Sequence, residues 1–391
     1  MLFDPDRHEP LTETPWDAET ARGAIRELCA DAERAYSETT LWPAHVQDDD
    51  EEPGPWTNLY FGASGVAWAL DQLMRRAAYI ATRDWKAEAR RILDLRLART
   101  EGKPEPSLML GEVGVRAIAD VDRDRLYDLI ASNIEHPALE LLWGAPGTML
   151  PALFLAERTG EARWRELYLR NAEHLIKTLV HHADHDVWMW TQDLYDEVVR
   201  LTGFGHGFAG NMFALLRGWA LLSDTQRALI TTRAAYTLRS IALHEGELVN
   251  WMPHVGTPRK GRNKVLVQWC HGAPGMIVGL ARLPPDAEVD ALFAGAAELT
   301  WRVGPLAKGA GICHGTAGNG YAFLAMHVRT GDERWLERAR RFAMHAIEQT
   351  RAQTQRYGRG RYSLWTGDPG VALYLADCID GRGELPSIAY L

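Results

Sequence analysis

Two kinds of helical segment alternate along the chain. Apolar residues recur at helical spacing over 17–36, 162–180, 226–243 and 333–349, with Arg and Glu on the opposite face. These stretches predict amphipathic helices with one face in water. A second kind is apolar almost all round: GVAWAL, GVRAIA, GTMLPALFLAE, GNMFALLRGWALL, GMIVGLARL, GNGYAFLAMHV and GVALYLADC. Helices of that kind predict burial on every side. Each begins at the second glycine of a Gly-x-x-Gly pair: Gly62/Gly65, Gly111/Gly114, Gly144/Gly147, Gly207/Gly210, Gly272/Gly275, Gly315/Gly318 and Gly367/Gly370. Chance supplies a few such pairs in a chain with 35 glycines, but not an apolar run after every one. The repeated order is outer helix, loop, glycine pair, inner helix, which gives seven units and fourteen helices. Helical hairpins stacked side by side can close into a ring that buries the inner helices. The expected fold is therefore all-α: an α/α toroid of seven outer and seven inner helices with its glycine loops at one end. Strand-like alternation is confined to short stretches such as 186–191.

No Pro/Gly/Ser linker separates autonomous halves, so residues 1–391 are expected to form one domain. The acidic stretch 48–54 reads as an exposed, solvated loop. A net charge of −9 argues against nucleic-acid binding. No apolar run reaches membrane-spanning length, and MLFDPDRHEP lacks a signal-peptide pattern, so a cytoplasmic location is expected. Two segments, 181–204 and 244–268, are longer than the other connections, and long loops tend to form rims or lids. The first holds His181, His182, Asp184, His185 and Asp186, where solvent-facing histidines outweigh a second metal site. Asn319 and Asp368, beside glycine pairs, read as helix caps.

Chemistry concentrates in two of the glycine loops. Cys270 stands in WCHGAPG, and Cys313 and His314 are adjacent in GICHGTAGNG. Two thiolates and an imidazole form a zinc set with three protein ligands. Three ligands leave the fourth tetrahedral position open, as at catalytic zinc. Close packing alone explains the glycines of the other five loops. Helix N-termini next to the ligands also favour thiolate. Cys29 and Cys378 are lone residues in helices and read as buried packing, so the four cysteines are no disulfide framework.

On WCHGAPG (269–275), CHGTAGNGYAFL (313–324), GHGFAG (205–210) and SLWTGDPGVALYLAD (363–377), the sequence resembles the lanthionine synthetase C-like family. The resemblance runs through all seven repeats. His271 after the first cysteine and Lys308 five residues before the second resemble the stand-alone, eukaryotic-type branch. The resemblance implies an α/α toroid with one zinc ion held by Cys270, Cys313 and His314. It implies addition of a thiol, a peptide cysteine or glutathione, to a dehydroalanine or dehydrobutyrine, forming a thioether. His206 matches the family's proposed acid, and an imidazole suits proton delivery at neutral pH. Glu140 stands where cyclases carry an acidic residue, with Glu in place of Asp. His271 offers a substrate hydrogen bond or a second acid, against a structural imidazole. Lys308 offers stabilisation of an enolate or a partner for a glutathione carboxylate, against a solvated lysine. Trp269 is expected to pack beside the zinc loop. No dehydratase or kinase segment is visible, so a separate protein would have to supply the dehydrated peptide or protein. Two other readings stay open: a non-catalytic zinc or glutathione binder, and an α/α-barrel carbohydrate enzyme, which the 15 tryptophans suit. The second needs two carboxylates, for which only Glu140 and Asp368 stand in the motifs, and it leaves the Cys/Cys-His set unexplained.

Overall fold

A computed structural model describes residues 1–48, 55–99, 105–256 and 264–391. Those residues hold fourteen α-helices in strict outer–inner alternation. The outer helices are α1 (Ala18–Ala35), α3 (Trp85–Arg99), α5 (Arg123–Ser132), α7 (Ala162–Thr178), α9 (Asp224–Ser240), α11 (Ala287–Val303) and α13 (Glu333–Tyr357). The inner helices are α2 (Ala63–Arg75), α4 (Glu112–Ala119), α6 (Ala145–Thr159), α8 (Phe208–Arg217), α10 (Ala273–Leu280), α12 (Thr316–Thr330) and α14 (Asp368–Asp380). Each inner helix packs on the next, and α14 returns to pack on α2, so the inner ring closes. The first outer helix, α1, lies against α14 and α13, which joins the two ends of the chain. This is the expected α/α toroid.

Polarity assigns the rings. In α8 and α10 every residue from Phe208 to Leu216 and from Ala273 to Leu280 is buried. The outer helix α13 buries one stripe, including Trp335, Phe342 and Ile347, and shows Arg and Glu to solvent. The outer helices start on side-chain caps where the sequence supplies them: Asp17 accepts from Thr20 N, and Ser223 and Gln226 form a reciprocal capping box. The inner helices start differently. Their N-caps are the first glycines of the seven pairs, and no side chain caps them.

The second glycine of each pair has one job. A Cβ there would lie 1.8–2.1 Å from the carbonyl oxygen six residues earlier, that of Leu59, Leu108, Leu141, Phe204, Trp269, Ile312 or Leu364. No side chain fits at such a distance, so the loop can fold back over its helix only on glycine. The repeat therefore aligns residue by residue. Cys270 and Cys313 occupy the same place in their loops, two before the first glycine, as do Tyr60, Met109, Leu142, Gly205 and Trp365. His206, His271 and His314 all occupy the next place, as does Trp143. Backbone bonds link equivalent places around the ring: Gly205 N to Cys270 O, Cys313 N to Trp365 O (2.8 Å), Trp365 N to Tyr60 O and Tyr60 N to Met109 O.

Parts of the two long connections form hairpins, and residues 257–263 of the second lie outside the described residues. Up to Val199 the first connection forms two antiparallel hairpins, β1 (Val180–His182) with β2 (Val187–Met189) and β3 (Gln192–Leu194) with β4 (Glu197–Val199). A third, β5 (Ala242–Glu245) with β6 (Leu248–Trp251), opens the second connection. Of the acidic stretch, residues 49–54 lie outside the described residues. Asp48 corrects the solvated reading at its own position. It is buried, accepts from Arg361 Nε at 2.8 Å and from Thr366 Oγ1 at 2.7 Å, and so has a charged partner for its charge. No helix among the described residues is long and apolar enough to cross a membrane.

Candidate metal centre

The loop before α10 is a tight turn. Gln268 and His271 exchange two backbone hydrogen bonds at 3.1 Å, which turns Cys270 inward. Trp269 points away into the core, fully buried between Phe204 and Trp365 at ring distances of 4.7 Å each. The loop before α12 places Cys313 opposite. The ligand atoms of Cys270, Cys313 and His314 all lie within 4.8 Å of one another. Cys313 Sγ stands 3.7 Å from His314 Nε2. Both sulfurs are buried and His314 is half-buried. Asn319 does not cap its helix: it donates to Val267 O at 3.0 Å and ties the two ligand loops together. All four cysteines are free, and Cys29 and Cys378 are buried in α1 and α14.

The sulfurs titrate as a pair. Burial and the neighbouring Cys270 sulfur push Cys313 well up. Burial pushes Cys270 up too, but a bond from Cys313 and the His314 and His271 rings outweigh it and pull it well down. The pair gives up its first proton readily and holds its second. Each sulfur also has a hydrogen-bond donor. Gln268 Nε2 donates to Cys270 Sγ at 2.8 Å, and the buried Tyr60 hydroxyl bonds the Cys313 sulfur.

His206 reaches the same area from the fourth loop. Gly203 and Gly205 let that loop lie on Cys270: a Cβ at Gly203 would be 2.0 Å from Cys270 O, and one at Gly205 3.2 Å from Cys270 Cβ. The His206 and His271 rings are nearly parallel, with centroids 6.3 Å apart. His206 Nδ1 lies 2.9 Å from Glu140 Oε2. The Glu140 side chain is fully buried and that of His206 is 23% exposed. Glu140 also accepts from Leu142 N at 3.0 Å and Trp143 N at 2.6 Å. A carboxylate only accepts, so Nδ1 of His206 donates to Glu140. Trp143 Nε1 donates to Tyr195 Oη at 3.1 Å, and the Tyr195 ring stands edge-on to His206 at 6.1 Å.

The sequence-derived candidates thus come together from four loops: Glu140, His206, Cys270 with His271, and Cys313 with His314. Lys308 is exposed on the sixth loop, and its charge acts on the Cys313 sulfur. Sequence reasoning missed Tyr60, Gln268 and Arg7. Alignment of the repeats two before each first glycine would have drawn out Tyr60. Nothing in the sequence pairs Arg7 with Gln268, 261 residues away, yet Arg7 Nη2 donates to Gln268 Oε1 at 2.8 Å. His181 and His185 are instead paired with Asp186 and Asp184, at 2.9 and 3.2 Å. Asp368 caps no helix: it is buried and accepts from Arg361 N at 2.9 Å.

Residues 44–388 match the family model described as lanthionine synthetase C-like protein. Over 270 residues the chain is 29% identical to "Glutathione S-transferase LANCL1" of Danio rerio, covering 63% of this chain and 61% of that one. It is 32% identical over 250 residues to "LanC-like protein GCL1" of Arabidopsis thaliana, covering 61% of this chain and 55% of the relative. The match thus spans less than two thirds of the length of these relatives. A solved structure of nisin cyclase superposes with a TM-score of 0.63 over 92% of this chain and 94% of that one, at 14% identity, which bears on the fold alone.

Proposed function

We propose that this chain, which belongs to the lanthionine synthetase C-like family, binds one zinc ion through Cys270, Cys313 and His314 and adds a thiol to a dehydroalanine or dehydrobutyrine residue. The observation that carries the reading is the buried two-sulfur, one-nitrogen cluster with a hydrogen-bonded His–Glu pair beside it. The donor set fits zinc: soft thiolates and an imidazole, close enough to share one ion, with three ligands and so one open place. The bound ion would lower the pKa of a thiol in that place and keep its sulfur a thiolate at neutral pH.

The chain's own residues support the rest. The substrate sulfur attacks the β-carbon; the C–S bond forms as the alkene π bond breaks, and the electron pair moves to the carbonyl as an enolate. His206, with Nδ1 tied to Glu140, presents Nε2 for delivery of a proton to the α-carbon. Glu140 acts through His206 by fixing its tautomer and ring plane. His271 closes the ligand turn with its ring 6.3 Å from that of His206, and it suits a hydrogen bond to the substrate. The exposed Lys308 favours a thiol that carries carboxylates, and the relative named as a glutathione S-transferase makes glutathione the first to test. Both carboxylates available to a carbohydrate enzyme are buried and engaged, Glu140 with His206 and Asp368 with Arg361 N, which favours the thioether reading.

Zinc analysis and a coupled assay test this together. The purified protein should carry one zinc per chain, lose most of it in Cys313→Ala, and accelerate thioether formation between glutathione or a cysteine peptide and a dehydroalanine peptide. His314→Ala should remove the acceleration. Full zinc occupancy in both Cys270→Ala and Cys313→Ala would sink the ligand assignment. A zinc-loaded protein with no rate above background, with several thiols, would leave a binding protein.

A further inference from the structure

We propose that Gln268 is a positioning residue for the metal centre: its amide N–H, held in orientation by Arg7, hydrogen-bonds Cys270 Sγ and sets how much negative charge that sulfur gives the ion. The inference rests on the zinc reading above. Gln268 is 4% exposed and lies wholly within the ligand turn. Its Nε2 is 2.8 Å from Cys270 Sγ and its Oε1 2.8 Å from Arg7 Nη2. A guanidinium has donors only, so it fixes the amide oxygen on its own side. Reversing the amide would set an NH₂ against the guanidinium and a carbonyl oxygen against the thiolate, and both contacts repel. The sulfur therefore always meets an N–H.

Arg7 is itself held. Its carbonyl accepts from Ala307 N at 3.0 Å, and Glu9 N donates to Pro305 O at 3.0 Å, so the N-terminal segment is strapped along the approach to the sixth loop. The main chain of Gln268 is pinned by its reciprocal bonds to His271. An N–H bond withdraws electron density from a thiolate, and the guanidinium behind it polarises the amide further. The ion then keeps more positive charge for an incoming sulfur. Outer partners of metal ligands also hold them in the geometry the metal needs, and loss of such a partner typically costs about 10–100-fold in affinity.

The test uses the full-length protein loaded with cobalt(II), whose thiolate charge-transfer band reports on the sulfurs directly. In Gln268→Met the band should move to longer wavelength, and zinc affinity measured against a chelator should fall by about 10-fold or more. Arg7→Met should move both readouts the same way by less. Added to Gln268→Met, it should change nothing further. A purely structural role would lower melting temperature and leave the band in place. Folded Gln268→Met and Arg7→Met proteins with wild-type bands and affinities would overturn the inference, as would an Arg7→Met effect that persists without Gln268. Should Gln268→Met fail to fold, the Arg7→Met band alone decides. Wild-type protein that binds neither metal would overturn the zinc reading and this inference with it; wild-type binding with indifferent variants overturns the inference only.

Discussion

Glu140 carries three donors on one buried carboxylate: Leu142 N, Trp143 N and His206 Nδ1. Glu140→Gln keeps the shape but turns an amide NH₂ toward a donor. A buried donor left without an acceptor costs roughly 1–3 kcal/mol, so the variant should melt lower and lose turnover. His206→Ala separates the two effects. Its side chain is partly exposed, so melting should move little and zinc should stay, while thioether formation falls by about 10²–10⁴-fold. A folded, zinc-loaded His206→Ala protein with wild-type turnover would refute the acid role. The motif GHGFAG makes His206 legible in the sequence, but the dependence of His206 on Glu140 is not, because 66 residues and two helices separate them. Asp368 was legible only as a polar residue beside a glycine. Its burial, which also sets it near Asp31 and Asp48, pushes its carboxyl up to about 7 against the pull of Arg361. In the unfolded chain that group ionises near its ordinary value. Between roughly pH 4 and 7 the folded state therefore binds the extra proton, and this site's contribution to stability falls as pH rises. Asp368→Asn should melt no lower than wild type at pH 8 and lose that advantage toward pH 5; parallel melting curves across this range would remove Asp368 as the source.

At the scale of elements, the glycine pairs and the hairpins differ in what the sequence reveals. The pairs stand out because one steric demand recurs seven times with one spacing. Gly318 shows the demand at its strongest: a Cβ there would sit 1.8 Å from Ile312 O and 2.9 Å from Trp269 Cβ. Gly318→Ala must push the Cys313 loop off its helix, which should cost more than about 3 kcal/mol and release zinc. Gly331→Ala is the control. It ends the same helix at φ +70° in open space, so only the conformational cost of about 1–2 kcal/mol applies, and zinc should stay. Equal zinc loss in both variants would break the link between packing and ligand placement. Of the hairpins only the alternation at 186–191, around β2, shows in the sequence, because strands of three or four residues are too short for a period of two to declare itself. The turn that brings Tyr195 toward His206 also lacks the usual Asn-Gly: Tyr195 and Asp196 take φ of +54° and +60° without glycine.

A linear array of helical repeats tolerates loss at one end as one increment of stability, because each unit touches only its neighbours. This ring has no end to lose from. The unit of α14 packs on α12 and α2, and α1 crosses over to α14 and α13. Local helical patterns foretell the units and the closed ring; the pattern does not say that α1 would make the seam on α14, a contact across nearly the whole chain. Trp365 sits where closure and metal centre coincide. It is fully buried, its ring packs tilted on Trp269 at 4.7 Å and lies parallel to Tyr60, its carbonyl accepts from Cys313 N, and its backbone N–H reaches Tyr60 O. It touches both ligand loops without being a ligand. Trp365→Ala opens a large cavity and should cost about 3–5 kcal/mol. Trp164, equally buried but on outer helix α7 against Tyr127, should cost about as much when cut to Ala. The two variants should part on zinc. With Trp365 gone, the backbones of the Cys270 and Cys313 loops lose their common support, and zinc should escape to a weak chelator that leaves wild type loaded. Trp164→Ala should melt earlier yet hold its zinc as tightly as wild type until it unfolds. If zinc retention simply follows melting temperature across both variants, the ring holds its metal through global stability alone, and the belt of loop-to-loop bonds has no separate part in it.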